Sequence, residues 1–513
     1  MNQRKAGIIL SYLQIVVQII IGILYIPILI YFLDQEEYGL YQLLGSILVY
    51  LNLFDFGLSN TVTRYYSKYL ALGDKRDQEN LLALSMALYT ILTVLLTIVG
   101  IILFFYLDKI FMHSLTVSEL ELVKRMYLIV LVNVAISIVS AIFNSIIAAH
   151  EKFLFLKSIT IVQTILRPII VLAIFSIHAS ALILVVIDTI FNVFNIVLKI
   201  YFSFNKLHVK IKYHYFNKNL LKEMIRYTFF VFLTAVMDQI FWRSNYLILG
   251  VLSGTAAVAV YSIALQMISL YMSLSTAISG VFLPSITKKV INNVTDKELT
   301  NIFVKIGRLQ YIILGAVLIG FILYGKEFIM IWVGRNFIES YFISLIIMIP
   351  FTLDLIQNIG LSILQAKNMY GFRAVVFFII AVINIIFAIV LTIKHGSIGA
   401  AFSTGICYFI GNGIIMNYYY YKKVQLDIFK YWKEIFKLSI PIFIVFIIGF
   451  FVDKIEIDSI IVSFLIKLLI FTLSYIIIMW NLGMKSYEKE LIAKPIRKII
   501  YLTKRKISRV LII

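Results

Sequence analysis

The feature that most constrains this chain is its succession of long apolar runs. Fourteen can be read, at about residues 8–33, 39–62, 81–107, 126–149, 153–176, 179–203, 226–250, 256–284, 306–325, 340–365, 371–394, 397–420, 435–452 and 459–482. Each is close to the roughly 20 residues that a helix needs to cross the hydrocarbon of a bilayer. In that medium every backbone N–H and C=O must be satisfied inside the element, so runs of this kind fold as helices. Only 14% of the residues are charged and 62% are hydrophobic. A soluble domain carries about 25% charged residues, so a water-soluble enzyme of this length is excluded. The single cysteine, Cys407, excludes a disulfide framework and any cysteine-based metal cluster. No apolar segment ends in a small-residue cleavage site, so the mature chain is expected to begin at Met1. The fold class expected is an all-α polytopic membrane protein.

The net charge of +20 is informative through its placement. A nucleic-acid partner would require basic residues gathered on a soluble face; here they alternate with apolar spans, so no nucleic acid is expected. With the N-terminus in the cytoplasm, 36 of the 46 Lys and Arg residues fall on the cytoplasmic side and seven on the other. Arg167, Arg243 and Lys467 stay inside spans. The acids divide evenly, 11 to 11. This is a strong positive-inside bias, and it puts both termini in the cytoplasm. The longest external loop runs from about Asp108 to Arg125, which leaves no room for a soluble catalytic domain. The tail from Lys485 mixes Ile492, Ile496, Ile499, Ile507 and Val510 with nine basic residues. It reads either as an amphipathic helix on an anionic leaflet or as a solvated basic tail.

The chain also reads twice. Tyr41 in "EEYGLYQLLGS" and Tyr261 in "AVAVYSIALQM" are 220 residues apart, as are Lys68 and Lys288. "AAHEKFLF" (148–155) and "LQAKNMYGF" (364–372) each close one span and open the next. Six spans separate the copies, an even number, so the halves share one orientation, as parallel repeats in transporters do.

The stretches "EEYGLYQLLGSILVYLNLFDFGLSNTVTRYYSKY" (36–69), "AVAVYSIALQM" (257–267), "LQAKNMYGFRA" and "NIIFAIVLTIKHGSIGAAFSTG" (384–405) resemble the polysaccharide-transporter branch of the MOP flippase superfamily. That branch includes the Wzx-type O-antigen and capsule flippases. The resemblance runs from about residue 6 to 421, with two further spans behind it. It implies a V-shaped pair of six-helix bundles that open alternately to either side, and a polyprenyl-pyrophosphate-linked oligosaccharide as cargo. The organisation expected is a bundle over 1–210, a second over 211–423, two added spans over 424–484 and a basic cytoplasmic tail over 485–513. The resemblance also implies the bacterial cytoplasmic membrane, a monomer among membrane lipids, other polysaccharide-assembly proteins as partners, and no cofactor.

Ionisable residues at membrane depth are costly and by default functional. Seven occur: Asp55, Arg167, Asp188, Asp238, Arg243, Asp354 and Lys467. Helical spacing groups them with polar neighbours. Thr160, Gln163, Thr164 and Arg167 form a stripe ahead of Pro168. Asp188, Asn192, Asn195 and Lys199 form another. Asp238, Gln239, Trp242 and Arg243 share a sector, and Asp354, Asn358, Ser362 and Gln365 line up, as do Asn133, Ser137, Ser140 and Asn144. Five such stripes read as lining a shared wet cavity, or as hydrogen-bonded glue between helices. Arg167 and Arg243 are the candidates for the pyrophosphate, because a guanidinium fork fits a phosphate two-pronged and keeps its charge. Gln163, Asn358 and Trp242 are candidates for the sugar. Asp238, Asp188 and Asp354 are candidates for ion coupling or counter-ions, Asp238 being the natural partner of Arg243. Asp55 reads as a helix-end anchor, and Lys467 as reaching a partner or a lipid headgroup. The six His residues lack metal-ligand spacing, so no metal is expected. The rival functions are an ion-coupled drug antiporter of the same superfamily and an integral-membrane polysaccharide polymerase or ligase.

Overall fold

In the computed structural model the backbone is described for residues 3–291, 294–367, 369–455, 457–491 and 493–494. Side chains are described over this range except at 3–9, 11–12, 54, 219, 226–227, 230–231, 233–235, 237–238, 281, 283–285, 287 and 291. The pattern proposed for the tail at Ile492, Ile496, Ile499, Ile507 and Val510 therefore lies outside the described residues.

Described residues in regular structure are helical. In chain order the helices are α1 (Gln3–Phe32), α2 (Gln35–Asn52), α3 (Leu58–Leu72), α4 (Lys75–Phe111), α5 (Val117–Ala149), α6 (Phe153–Phe175), α7 (Ala181–Tyr201), α8 (Lys218–Leu252), α9 (Thr255–Ile291), α10 (Asp296–Trp332), α11 (Glu339–Leu355), α12 (Asn358–Ala366), α13 (Tyr370–Tyr408), α14 (Asn417–Lys422), α15 (Ile428–Asp453) and α16 (Ile460–Ile478). Their starts are set by polar caps that satisfy the first free N–H groups. Asp34, Asp74, Ser180, Asn217, Thr295 and Asp427 each accept from a backbone N–H of the first turn. Thr116 and Glu119 cap each other's backbone at the start of α5.

Eleven helices among the described residues are long and apolar enough to cross a membrane. That number is compatible with fourteen spans. The second apolar run is split into α2 and α3 where Phe56 (φ 50°) and Gly57 (φ 75°) leave the helical region. Helix α3, with 15 residues, is too short to qualify, and α2, with 18, opens on Gln35, Glu36 and Glu37 and is not apolar enough. The continuous stretch Tyr370–Lys422 counts once yet holds two of the expected runs. It folds back on itself at Gly396 (φ 55°, ψ −136°). Ser403 Oγ then donates to Asn384 Oδ1 at 2.6 Å, whereas 19 residues of straight helix would span about 28 Å.

Packing groups the chain into two compact units, Met1–Ala264 with Phe377–Thr404, and Leu265–Val376 with Gly405–Ile513. In the first, α5 is the central helix, packed by α2, α3, α4 and α7, with α1 against α6. Helix α8 lies on α2 and α3, with Thr61 and Thr228 sharing a hydroxyl hydrogen bond of 2.7 Å. Gly39 lets α2 touch the start of α9: a Cβ there would sit 2.0 Å from the Thr255 carbonyl oxygen, the small-residue contact typical of membrane helices. In the second unit, α10 is flanked by α11, α15 and α16. Ile312, Tyr324, Leu438, Ile442, Val445, Phe471, Tyr475 and Met479 form one buried cluster there, so the two added spans are seated on the ninth.

The repeat is visible in contacts within each unit. Phe155 stacks on Phe202 at 3.9 Å, and Phe372 on Tyr419 at 4.0 Å; both second residues lie 217 positions after the first pair. Tyr127 donates to the Gly100 carbonyl at 2.9 Å and Tyr341 to the Ile322 carbonyl at 2.7 Å, each joining the fourth span of a half to its third.

Candidate functional site

The polar side chains of the first unit are organised around Arg167, on α6. Asp188 faces it from α7. Nε donates to Oδ1 at 2.5 Å and Nη2 to Oδ2 at 3.0 Å, the two-pronged match of guanidinium to carboxylate. Tyr41, on α2, closes the triangle: its hydroxyl accepts from Nη2 at 2.8 Å and donates to Asp188 Oδ2 at 2.8 Å. The ring of Tyr25, on α1, lies 5.0 Å from the guanidinium carbon, a cation–π contact. Four helices therefore converge on one ion pair, whose side chains keep 22% and 31% of their surface exposed.

A ladder continues from this triangle. Gln163, one turn back on α6, is hydrogen-bonded to Asn195. Asn192 donates to Asn133 Oδ1 and Ser137 Oγ, both at 2.6 Å. Lys157 reaches Gln14 at 3.1 Å. Thr160 and Thr164 instead turn their hydroxyls onto carbonyls of their own helix. The stripes read along the fourth, fifth and sixth spans thus meet one another, as interhelical hydrogen bonding requires.

The other expected site residues are more dispersed. Arg243 lies 5.5 Å from the ring centroid of Tyr246, and Trp242 meets Phe241 edge-on at 5.9 Å. The side chain of Asp238 is outside the described residues. Asn245, two turns beyond Asp238, is buried and donates to Tyr261 at 2.7 Å and to Thr404 at 2.9 Å. In the second unit Asp354 faces Arg373, with one contact of 3.5 Å. Asn358 donates to Ser275 at 3.4 Å, and the Gln310 amide donates to both Ser275 and Ser279 at 3.0 Å.

Three groups escaped the sequence reading. Tyr41 was marked there only as a repeat position. Arg373 falls in the first turn of α13, at the cytoplasmic end of its span, where the positive-inside bias already accounts for a basic residue. Arg308, near the same end of its span on α10, is 2% exposed and holds Glu488 through Nε at 2.8 Å and Nη2 at 3.1 Å. It also donates to Glu434 and to the Gly483 carbonyl. Glu488 lies beyond the last span. Burial raises its carboxyl, but donation from Arg308, Tyr487 and the Lys485 amide outweighs this and holds it below the ordinary glutamate range. Lys467 has protein partners, Glu327 at 2.7 Å and Asp453 at 3.0 Å, because α16 packs on α10 and α15. Among the described residues no group of three or more His, Cys, Asp or Glu side chains could hold a metal ion.

A helical membrane protein with this plan and these buried polar side chains is a transporter of the MOP-superfamily type. Its fold is similar to a lipid II flippase MurJ in an inward closed conformation: TM-score 0.73, 18% identity, with 94% of this chain and 100% of that one aligned. It is also similar to an inward-facing multidrug-resistance MATE family transporter of the MOP superfamily: TM-score 0.63, 15% identity, 78% of this chain and 92% of that one. At these identities the likeness is one of fold. The chain belongs to the polysaccharide biosynthesis protein family, whose model matches residues 4–290. No curated protein sequence matches it.

Proposed function

We propose that the protein is a flippase that carries polyprenyl-pyrophosphate-linked oligosaccharide across the bacterial cytoplasmic membrane by alternating access, with both termini in the cytoplasm. The observation that carries this reading is membership of the polysaccharide biosynthesis family. The chemistry of the first unit supports it. Amides and a hydroxyl in the ladder of Gln163, Asn192, Asn195 and Ser137 suit a cargo whose bulk is neutral sugar. Arg167 and Arg243 supply the charge for the pyrophosphate, with Trp242 and Asn358 as further sugar contacts. In this scheme Asp188 is the resting partner of Arg167. A phosphate that engages the same edge of the guanidinium competes with Asp188 for it, so cargo binding and this ion pair oppose one another. Asp238 and Asp354 are the corresponding counter-ions of Arg243 and Arg373.

Complementation of a flippase-deficient strain tests this. The chain should restore surface polysaccharide, and Arg243→Ala should abolish it while the protein still accumulates. Arg243→Lys should rescue only in part, because an ammonium lacks the fork. Energised dye efflux without restored polysaccharide would replace this reading with the drug-antiporter one, which the intramembrane carboxylates also suit.

A further inference from the structure

The second unit holds a cavity of about 730 Å³ bounded by α10, α11 and α15. Its walls are apolar, formed by Leu318, Ile349, Leu353, Ile356, Ile435 and Phe436. At one end it is edged by Lys433 and Lys437, at the start of α15, the end that the positive-inside count places in the cytoplasm. An apolar trough with cations at its headgroup end is complementary to one class of molecule. We propose that this cavity is a binding site for an anionic phospholipid of the cytoplasmic leaflet, acyl chains in the trough and phosphate at the two lysines.

Charge supports that occupant over a zwitterionic lipid. Lys437 is paired with Glu434 at 2.9 Å, but Glu434 also takes Lys485 and Arg308, and Arg308 takes Glu488. With Lys433, the cluster sets four cations against two carboxylates, so net positive charge is left for an anionic headgroup to meet. Lys433 is exposed and takes no part in those ion pairs.

The walls favour a resident molecule over a passing cargo, because α15 is fastened on both sides of the cavity. Tyr311 and Ser439 share a hydrogen bond of 2.9 Å between α10 and α15. Tyr431 donates to the Ile356 carbonyl at 2.8 Å, and its ring fills the space that the absent side chain of Gly307 leaves. Trp432 donates to Asn417 at 2.9 Å. The cavity lies within one packing unit, so the proposal stands independently of the flippase reading.

The test uses the full-length chain extracted from vesicles of equal phosphatidylglycerol and phosphatidylethanolamine, with retained lipid identified by native mass spectrometry. The unmodified chain should retain phosphatidylglycerol preferentially. Each basic side chain near a membrane surface is worth about fivefold in anionic-lipid binding, so Lys433→Gln should lower the preference about fivefold and the double variant with Lys437→Gln about thirtyfold. Ile349→Trp, which fills the trough at an exposed position, should lower retention of either lipid. Should Lys437→Gln disturb folding through Glu434, the Lys433→Gln result stands alone. An unchanged preference in Lys433→Gln overturns the proposal. So does displacement of phosphatidylglycerol by stoichiometric undecaprenyl phosphate, which would make the cavity a cargo site.

Discussion

The same place in the two halves of this chain is built with different chemistry. Positions 217 apart keep their aromatic stack, Phe155 on Phe202 and Phe372 on Tyr419. By that offset Arg167 becomes Asn384 and Asp188 becomes Gly405, beside Ser403 and Thr404. Where the first half closes its helices with an ion pair, Ser403 Oγ donates to Asn384 Oδ1 at 2.6 Å and to the Asn384 carbonyl at 2.8 Å. Tyr41, hydrogen-bonded to the charged pair, has its counterpart in Tyr261, which accepts from Asn245. The tyrosine is kept and the charges are dropped. Neutral hydrogen bonds therefore suffice to hold helices at this position, and the ion pair of the first half exceeds what packing needs. An excess charge at membrane depth calls for a task.

The largest expected effect tests that inference. Asp188→Asn keeps an acceptor oxygen but removes the charge that balances the Arg167 guanidinium, and an unbalanced arginine at membrane depth costs about 3 kcal/mol. Asn384→Ala should cost about 0.6 kcal/mol, the mean for interhelical hydrogen bonds in membranes. Thermal unfolding of the purified variants measures both, and equal losses would break the comparison. Pairing Arg167→Asn with Asp188→Ser gives the first half the chemistry of the second. That double variant should regain most of the stability yet fail to export polysaccharide. Full export would remove Arg167 from the cargo site and reduce the triangle to packing.

The Arg308 cluster provides a second contrast, an ion network that serves structure. Replacing Glu488 by Gln should cost about 2 kcal/mol at neutral pH, the scale of hydrogen bonds to a charged group. Its carboxyl is held below the ordinary range, so its contribution is complete above the unfolded glutamate value of about 4.3. It is lost as pH falls through the lower folded value. The gap in unfolding temperature between the unmodified chain and Glu488→Gln should therefore be constant near neutrality and close in acid. A gap that widened in acid would reverse the sign and contradict the assigned charge state. Polysaccharide export at pH 7 should be reduced far less by this substitution than by Arg167→Ala.

What the sequence made legible follows from what the bilayer enforces. Span length, the polar stripes and the repeat are all dictated by helix period and hydrocarbon thickness, and they can be read without coordinates. Pairing is different, because a stripe states which face is polar and leaves open which face it meets. Asp188 and Arg167 lie on separate stripes 21 residues apart, and only the packing of α6 on α7 selects that pair. Arg308 and Arg373 were hidden for another reason. Both lie near the cytoplasmic ends of spans, where the positive-inside rule already accounts for a basic residue, so their burial gave no signal. The break at Phe56 and Gly57 and the reversal at Gly396 were masked by apolarity that continues through both.

The smallest expected effect sharpens the comparison from the side of sameness. Phe155→Leu and Phe372→Leu each remove one aromatic stack and keep an apolar side chain of similar reach. Each should cost about 1 kcal/mol, the worth of such a pair beyond the area it buries. Because the stacks are 3.9 and 4.0 Å with nearly parallel rings, the two losses should agree within a few tenths. The two residues fall in different packing units, so the double variant should lose the sum. Unfolding of both single variants and the double variant, read against the unmodified chain, closes the cycle. Unequal single losses would mean that the repeat preserves geometry without preserving energy. A coupling above about 0.5 kcal/mol would mean that the two stacks report on one cooperative unit, and the contrast between a charged and a neutral half would then have to be explained within a single folding body.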